Sequence, residues 1–232
     1  MKFVGLFSGG KDSLVACHYL WKQGKLNDVL YCKTGIGLKE NLDFVKGQCS
    51  KFKWNLNIVE PKQNETYEDF IRKFGFPHQG MHSAIMGYLK WHPIRKWNKE
   101  HQGYVFVSGR RKRESKRRMR TVKGRYEETE GMIFFSPLMD WYDHDVWDYI
   151  KENGLEKCPV YDTMHMSGDC LCGAFSELGE SELIATFHTS MAKRIAELEL
   201  KYGGQWGNQS SITGAIKQDK IVNFICSDCM SR

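Results

Sequence analysis

No segment of this 232-residue chain approaches the ~18 consecutive apolar residues that a membrane-spanning helix requires, so no membrane span is expected. The first residues, MKFVGLF, lack the basic flank and long apolar stretch of a secretory leader, and the expectation is a cytoplasmic protein. No internal repeat is visible, which argues against a solenoid or propeller. The sequence also lacks the composition of a disordered chain: 41% hydrophobic and 13% aromatic residues supply a core, and 27% charged residues is ordinary for a folded domain. The length is short for two fused enzymes and suits one sizeable domain, alone or with a small appendage.

Cysteine, by contrast, is plentiful. There are eight: Cys17, Cys32, Cys49, Cys158, Cys170, Cys172, Cys226 and Cys229. Without a secretory leader they are poor evidence for disulfides. The first three sit singly in apolar contexts and read as small buried hydrophobes. Cys158 is open to three readings, a buried thiol first, then a fourth metal ligand or a sulfur carrier. Cys170 and Cys172, then Cys226 and Cys229, form two close pairs far apart in sequence. That is the usual architecture of a tetrahedral site, in which each short spacing fixes two ligands. Zn²⁺ and a [4Fe–4S] cluster both suit four such thiolates.

The formal charge of +6 favours anionic ligands, and its distribution is uneven. Residues 110–120 read RRKRESKRRMR, a run that suits a solvated face, a phosphate site or nucleic acid.

Hydrophobic periodicity places a strand at 2–7, a helix after Ser8-Gly9-Gly10, and a second strand at 28–32. A helix over about 38–51 and a strand at 54–60 come next. Helices are expected at 66–74 and 81–99, with Pro93 ending or kinking the second. Strands at 104–109 and 132–138, a helix at 143–154 and one at about 181–200 complete the pattern. Alternating strands and helices predict a parallel sheet with right-handed crossovers. A soft boundary falls near residue 165, dividing a nucleotide-binding domain (1–165) from a Cys-rich segment (166–232) packed against it.

Ser8-Gly9-Gly10-Lys11-Asp12-Ser13 lies between the first strand and the first helix, where backbone N–H groups and the positive helix end meet an anion. Neither GxxxxGK[ST] nor GxGxxG fits it. The segment resembles the pyrophosphate-binding loop of the adenine nucleotide α-hydrolase-like superfamily, which includes PP-loop ATP pyrophosphatases and the sulfonucleotide reductases. Three further segments resemble the phosphoadenylyl-sulfate (PAPS) reductase-like family. They are LYCKTGIGLKENLDFV (30–45), SGRRKRESKRRMR (108–120) with Gly109, Arg111, Glu114 and Ser115 in register, and FSPLMDWYDHDVWDYIKENGL (135–155). Lys33 stands where that family usually has Asp, Lys39-Glu40-Asn41 replaces its Pro-Glu-Thr, and the chain closes CSDCMSR rather than with the reductases' Glu-Cys-Gly-[Leu/Ile]-His.

The resemblance implies a Rossmann-like α/β fold, an open, mostly parallel sheet with helices on both faces and a small C-terminal Cys-rich helical segment. It implies an adenine-nucleotide-dependent enzyme of sulfur metabolism that binds ATP, adenylyl sulfate or phosphoadenylyl sulfate. Ser8, Gly9, Gly10, Lys11, Asp12 and Ser13 would hold phosphates, with Mg²⁺ accompanying the nucleotide. Cys32 and Lys33 would border the adenine, and Gly109 would let the fourth strand's end close over the nucleotide. Lys11, Asp12, Arg111 and Arg118 are the candidate catalytic residues, the arginines for their fit to tetrahedral oxyanions. The resemblance favours a [4Fe–4S] cluster over Zn²⁺ at Cys170, Cys172, Cys226 and Cys229. A thiol or sulfur donor is an expected partner, and nucleic acid along 110–120 a further one. The alternative activity is an ATP pyrophosphatase that adenylates an acceptor, nucleic acid included, before thiolation or phosphorothioation.

Overall fold

A computed structural model describes residues 1–114, 119–120, 122–207 and 211–217. Ser115, Arg118, Cys226 and Cys229 lie outside these residues. Six strands among them form one sheet in the order β3-β2-β1-β4-β6-β5: β1 (Lys2–Leu6), β2 (Leu26–Cys32), β3 (Leu56–Val59), β4 (Tyr104–Val107), β5 (Tyr126–Thr129) and β6 (Met132–Phe135). All neighbours are parallel except β5 and β6.

Strand alternation decides the two faces. Val29, Val107 and Phe7 pack on one side with Leu14, Val15 and Cys17 of α1 (Lys11–Lys22), Val45 and Cys49 of α2 (Lys39–Phe52), and Val146 and Ile150 of a later helix, Asp143–Glu152. The intervening Val4, Leu30 and Phe106 pack on the other side with Ile94, Trp97 and Phe134. Burial on both faces explains why these strands read as nearly continuous apolar runs.

β5 is absent from the sequence expectation because Tyr-Glu-Glu-Thr carries little apolar signal. It is an edge strand, its two carboxylates blunt further pairing, and Tyr126 stacks on Phe135 at 4.6 Å between centroids. α3 spans Tyr67–Phe74, close to expectation. The helix expected over 81–99 is three pieces: α4 (His82–Met86), a π-helical turn over Gly87–Trp91, and α5 (His92–Glu100). Pro93 opens α5, because a ring nitrogen without a proton is tolerated in the first helical turn but leaves the preceding ladder short of a donor. The helix expected over 181–200 is likewise divided at His188, giving Glu180–Phe187 and Thr189–Tyr202.

A third cluster joins Ile36, Tyr67, Phe70, Ile85 and Val160 to Leu171, Ile184, Ile195 and Trp206. It runs across residue 165. Among the described residues no helix is long and apolar enough to cross a membrane.

Candidate nucleotide site

Strand order reverses between β1 and β4, since β1 connects toward β2 while β4 connects away from it. Such a switch point opens a crevice at the carboxyl ends of the strands. A cavity of about 400 Å³ occupies it.

Its floor is the turn that leaves β1. Gly9 sits at φ +80°, a region an L side chain rarely adopts, and a Cβ there would fall 2.2 Å from Asn41 Nδ2. Ser13 Oγ donates to the Gly10 carbonyl at 2.9 Å and accepts from Ser8 N–H at 3.3 Å, which folds the turn back on the helix it begins. No side chain caps α1, so its first amides point at the cavity with only the Tyr161 hydroxyl near Lys11 N, at 3.2 Å. Open amides at a helix start make a ready oxyanion site. Gly109 closes the roof: a Cβ would lie 2.5 Å from the Asp12 carbonyl carbon and 2.7 Å from Ser13 N, so only glycine lets β4's end approach α1 this closely.

The remaining wall is apolar, formed by Leu30, Met86, Trp91 and Ile94 with the Cys32 thiol. Burial pushes that thiol up to about 12, so it is protonated at neutral pH. Across from it, Lys90 pairs with Asp169 at 2.5 Å. Burial works against the Lys90 charge, but Asp169, with Cys170 and Cys32 adding to it, outweighs burial and holds the ammonium above the usual lysine range.

The predicted residues divide. Ser8, Gly10, Asp12, Ser13, Cys32 and Gly109 line the cavity. Arg111 does not. It is 1% exposed and its guanidinium is engaged by Asp12 (Nε to Oδ1, 2.6 Å) and Asp143 (Nη2 to Oδ1, 2.9 Å). Lys11 Nζ completes the network, 2.6 Å from Asp143 and 3.2 Å from Asp12. Two cations and two carboxylates therefore balance beside the loop, and Lys11 and Arg111 hold the Asp143 carboxyl below its ordinary value. Lys33 faces the other side of β2, paired with Glu60 at 2.8 Å. Of the basic run, Arg110 pairs with Glu127 at 2.7 Å, Arg111 with Asp12 and Asp143, and Arg113 lies 4.0 Å over the Tyr142 ring, so these three arginines turn onto the protein.

Several lining residues have no sequence signal: Lys90, Asp169 and Tyr161 reach the cavity from segments far apart in the chain, and Arg110 joins them from the start of the basic run. Asn41 is fully buried and pins the loop from behind, donating to the carbonyls of Ser8 at 3.0 Å and Ser167 at 2.7 Å.

Cys170 and Cys172 are side by side beyond Asp169, and their thiols hydrogen-bond to one another. That bond raises the Cys170 thiol and holds Cys172 down to about 7. Main-chain bonds fix the turn between them: Leu171 N donates to Ile36 O at 2.9 Å, and the Leu171 and Cys172 carbonyls accept from Trp206 Nε1 and the Tyr67 hydroxyl. Two convergent thiols, one easily ionised, fit half of a soft-metal site; no group of three or more ligands occurs among the described residues. Cys158 is buried, with Sγ directed at the Ser167 carbonyl at 3.9 Å and its pKa raised by burial. His92 meets Glu65 at 3.0 Å and His82 packs on Phe175.

Residues 2–183 match the family model of the phosphoadenosine phosphosulfate reductase domain. An uncharacterized protein of Methanocaldococcus jannaschii is 29% identical over 157 residues, 67% of this chain but only 37% of that protein. The phosphoadenosine 5'-phosphosulfate reductase of Xylella fastidiosa is 28% identical over 165 residues, covering 69% of this chain and 67% of the enzyme. Among solved structures, phosphoadenylyl-sulfate reductase from Candida auris, in a phosphate complex, superposes with a TM-score of 0.55 at 23% identity over 70% of this chain and 77% of that one. That likeness shows the shared fold.

Proposed function

Because the chain belongs to the phosphoadenosine phosphosulfate reductase domain family, we propose that it is an adenine-nucleotide-dependent enzyme of sulfur metabolism that holds an adenylylated sulfate or ATP in the β1/β4 crevice. One observation carries this reading: a single cavity joins uncapped amides and serine hydroxyls at one end to an apolar wall at the other. A nucleotide has the same polarity, an anhydride chain joined to a flat apolar base. The Ser8–Ser13 turn would take the phosphates, and Leu30, Cys32 and Trp91 the adenine. Mg²⁺ entering with the nucleotide would meet Asp12, whose charge Arg111 already offsets. Arg110, on the cavity wall and bonded through Nε to Ser108 at 3.2 Å, is better placed than Arg111 to meet a sulfonate or terminal phosphate.

Cys170 and Cys172 would supply half the ligands of a [4Fe–4S] cluster, or of Zn²⁺, with Cys226 and Cys229 the other half. A bound cluster would supply a soft Lewis acid or electron carrier near the Lys90–Asp169 pair.

The thiols favour a second reading of the reaction. Cys32 and Cys158 both have raised pKa values through burial, which suits neither for attack on sulfur at neutral pH. With those two unsuited, a reductase would draw its thiol from the Cys170–Cys172 or Cys226–Cys229 pairs or from an external donor, whereas an ATP pyrophosphatase that adenylates an acceptor needs no attacking thiol in that step. Anaerobically purified protein given phosphoadenylyl or adenylyl sulfate plus a thiol donor should release sulfite on the first reading. On the second it should release pyrophosphate from ATP in the presence of RNA, DNA or small-molecule acceptors. Failure to bind any of the three nucleotides by calorimetry overturns both.

A further inference from the structure

A second cavity, of about 350 Å³, lies behind the first on the opposite face of β2. Strand alternation makes the division: Leu30 and Cys32 line the nucleotide crevice, Tyr31 and Lys33 the second cavity. Two helix starts meet there. α2 begins at Lys39 after Leu38, and the helix Thr189–Tyr202 begins after His188; both are 14 residues long, and neither has a side-chain cap. Each directs unsatisfied amides and a positive dipole end toward the same space.

His188 supplies the independent observation. Its side chain is 6% exposed, Nε2 bonds Thr163 Oγ1 at 3.0 Å, and Nδ1 is buried without a hydrogen-bond partner. A buried polar atom left unpaired costs about 1–3 kcal/mol and calls for a reason. The nearest charge is Glu40, whose carboxylate sits 3.5 Å from Nδ1 while its side chain remains 55% exposed. Lys33, Lys39 and Arg194 complete the lining. Lys33 and Lys39 are held only by exposed partners, Glu60 and Asp43. Exposed pairs of this kind contribute about 0–1 kcal/mol and yield readily to a stronger ligand.

We infer that this cavity is an oxyanion site, separate from the nucleotide crevice, which takes a phosphate or sulfate dianion, free or as the monoester of a small molecule. The anion displaces the Glu40 carboxylate, accepts from the two sets of helix amides and from His188 Nδ1–H in the tautomer whose Nε2 accepts from the Thr163 hydroxyl, and is balanced by Lys33, Lys39 and Arg194. The 350 Å³ volume exceeds a bare tetrahedral anion and leaves room, against Leu38 and Met191, for the body of a small ester.

The test monitors the ring nitrogens of His188 by ¹⁵N NMR in the full chain, its signal identified with His188→Gln. Inorganic phosphate, inorganic sulfate and glycerol 3-phosphate are titrated separately at ionic strength held constant with chloride. A saturable shift of the His188 signal is expected, weakened about tenfold in Arg194→Ala, where one charge-assisted contact is lost, and strengthened in Glu40→Gln. Binding of the inorganic anions identifies the free ion as the source; binding of glycerol 3-phosphate alone identifies the ester. An unmoved His188 signal, or a shift equal in wild type, Arg194→Ala and Glu40→Gln, overturns the inference. Because the readout is local to His188, it is distinct from nucleotide binding in the crevice, and either can fail without the other.

Discussion

Arg111 matches an arginine of the sequence motif, yet its guanidinium is engaged inside the protein by Asp12 and Asp143. Its work is to hold the Asp12 carboxylate, at the start of α1, in a fixed orientation beside the phosphate turn. Arg111→Met should leave two carboxylates beside the turn with only Lys11 to offset them, at a cost of about 3 kcal/mol in urea unfolding, the scale of breaking a buried ion pair from one side. The double variant Arg111→Met with Asp12→Asn should recover part of that loss, because the orphaned charge is gone. A simple sum of the two single effects would refute the coupling. Gly109 acts by its missing side chain. Gly109→Ala places a Cβ against the α1 backbone at 2.5 Å, which must push the helix start away from β4. Nucleotide affinity is expected to fall by at least about tenfold, as misplacement of a positioned site by an ångström costs on that order or more. Calorimetry that shows unchanged affinity would remove the loop–β4 contact from the site.

Among the elements, the helix Thr189–Tyr202 anchors the segment C-terminal to it through one buried carboxylate. Glu199 accepts from Trp206 N at 2.7 Å, Ile212 N at 3.1 Å and Thr213 N at 2.8 Å, and Thr213 Oγ1 also donates to it. Trp206 is 1% exposed and donates to the Leu171 carbonyl between the two cysteines, so this carboxylate indirectly holds the thiol turn. Glu199→Ala should cost about 3 kcal/mol, since several buried N–H groups lose their acceptor together. Amide exchange at Trp206, Ile212 and Thr213 should accelerate while that of β1 and β4 does not; uniform acceleration would mean a global effect instead. Such anchors show where sequence reading stops. The β1–turn–α1 unit was legible, because Gly9, Gly10 and Ser13 carry their geometry in residue type and neighbouring positions. Lys90, Asp169 and Tyr161 were not, because each meets the site only through the folding of distant segments, and Asn41 was marked by its motif position but not by its role behind the loop. The break at His188 was hidden for a related reason: apolar spacing runs through 181–200 with no Gly or Pro to interrupt it.

At the scale of the whole molecule, the third hydrophobic cluster fuses residues on both sides of position 165 into one core. A chain cut there would expose Ile36, Tyr67, Phe70 and Ile85, so residues 1–207 should unfold in a single calorimetric transition. Cooperative unfolding allows stability to be measured against pH, and His18 sets the slope. Its ring is 4% exposed among Trp21, Phe52 and Tyr149, with Nδ1 3.0 Å from the Tyr149 hydroxyl. Burial, with Lys22 adding to it, lowers the His18 pKa to about 4. Between about pH 6.5 and pH 4 the unfolded chain therefore binds a proton that the folded chain refuses. Stability should fall as pH drops through that window, by up to about 3 kcal/mol at 1.36 kcal/mol per pKa unit, and the His18 contribution should level off below it. Carboxylates held down in the fold, such as Glu127 and Asp143, add their own loss toward the acid end of that window, as their unfolded forms begin to protonate. His18→Gln keeps a partner for Tyr149 but cannot titrate. Urea midpoints of that variant should be nearly flat from about pH 6.5 to 5.5, above the carboxylate range, where the wild-type midpoint declines, and parallel curves there would assign the slope to another group.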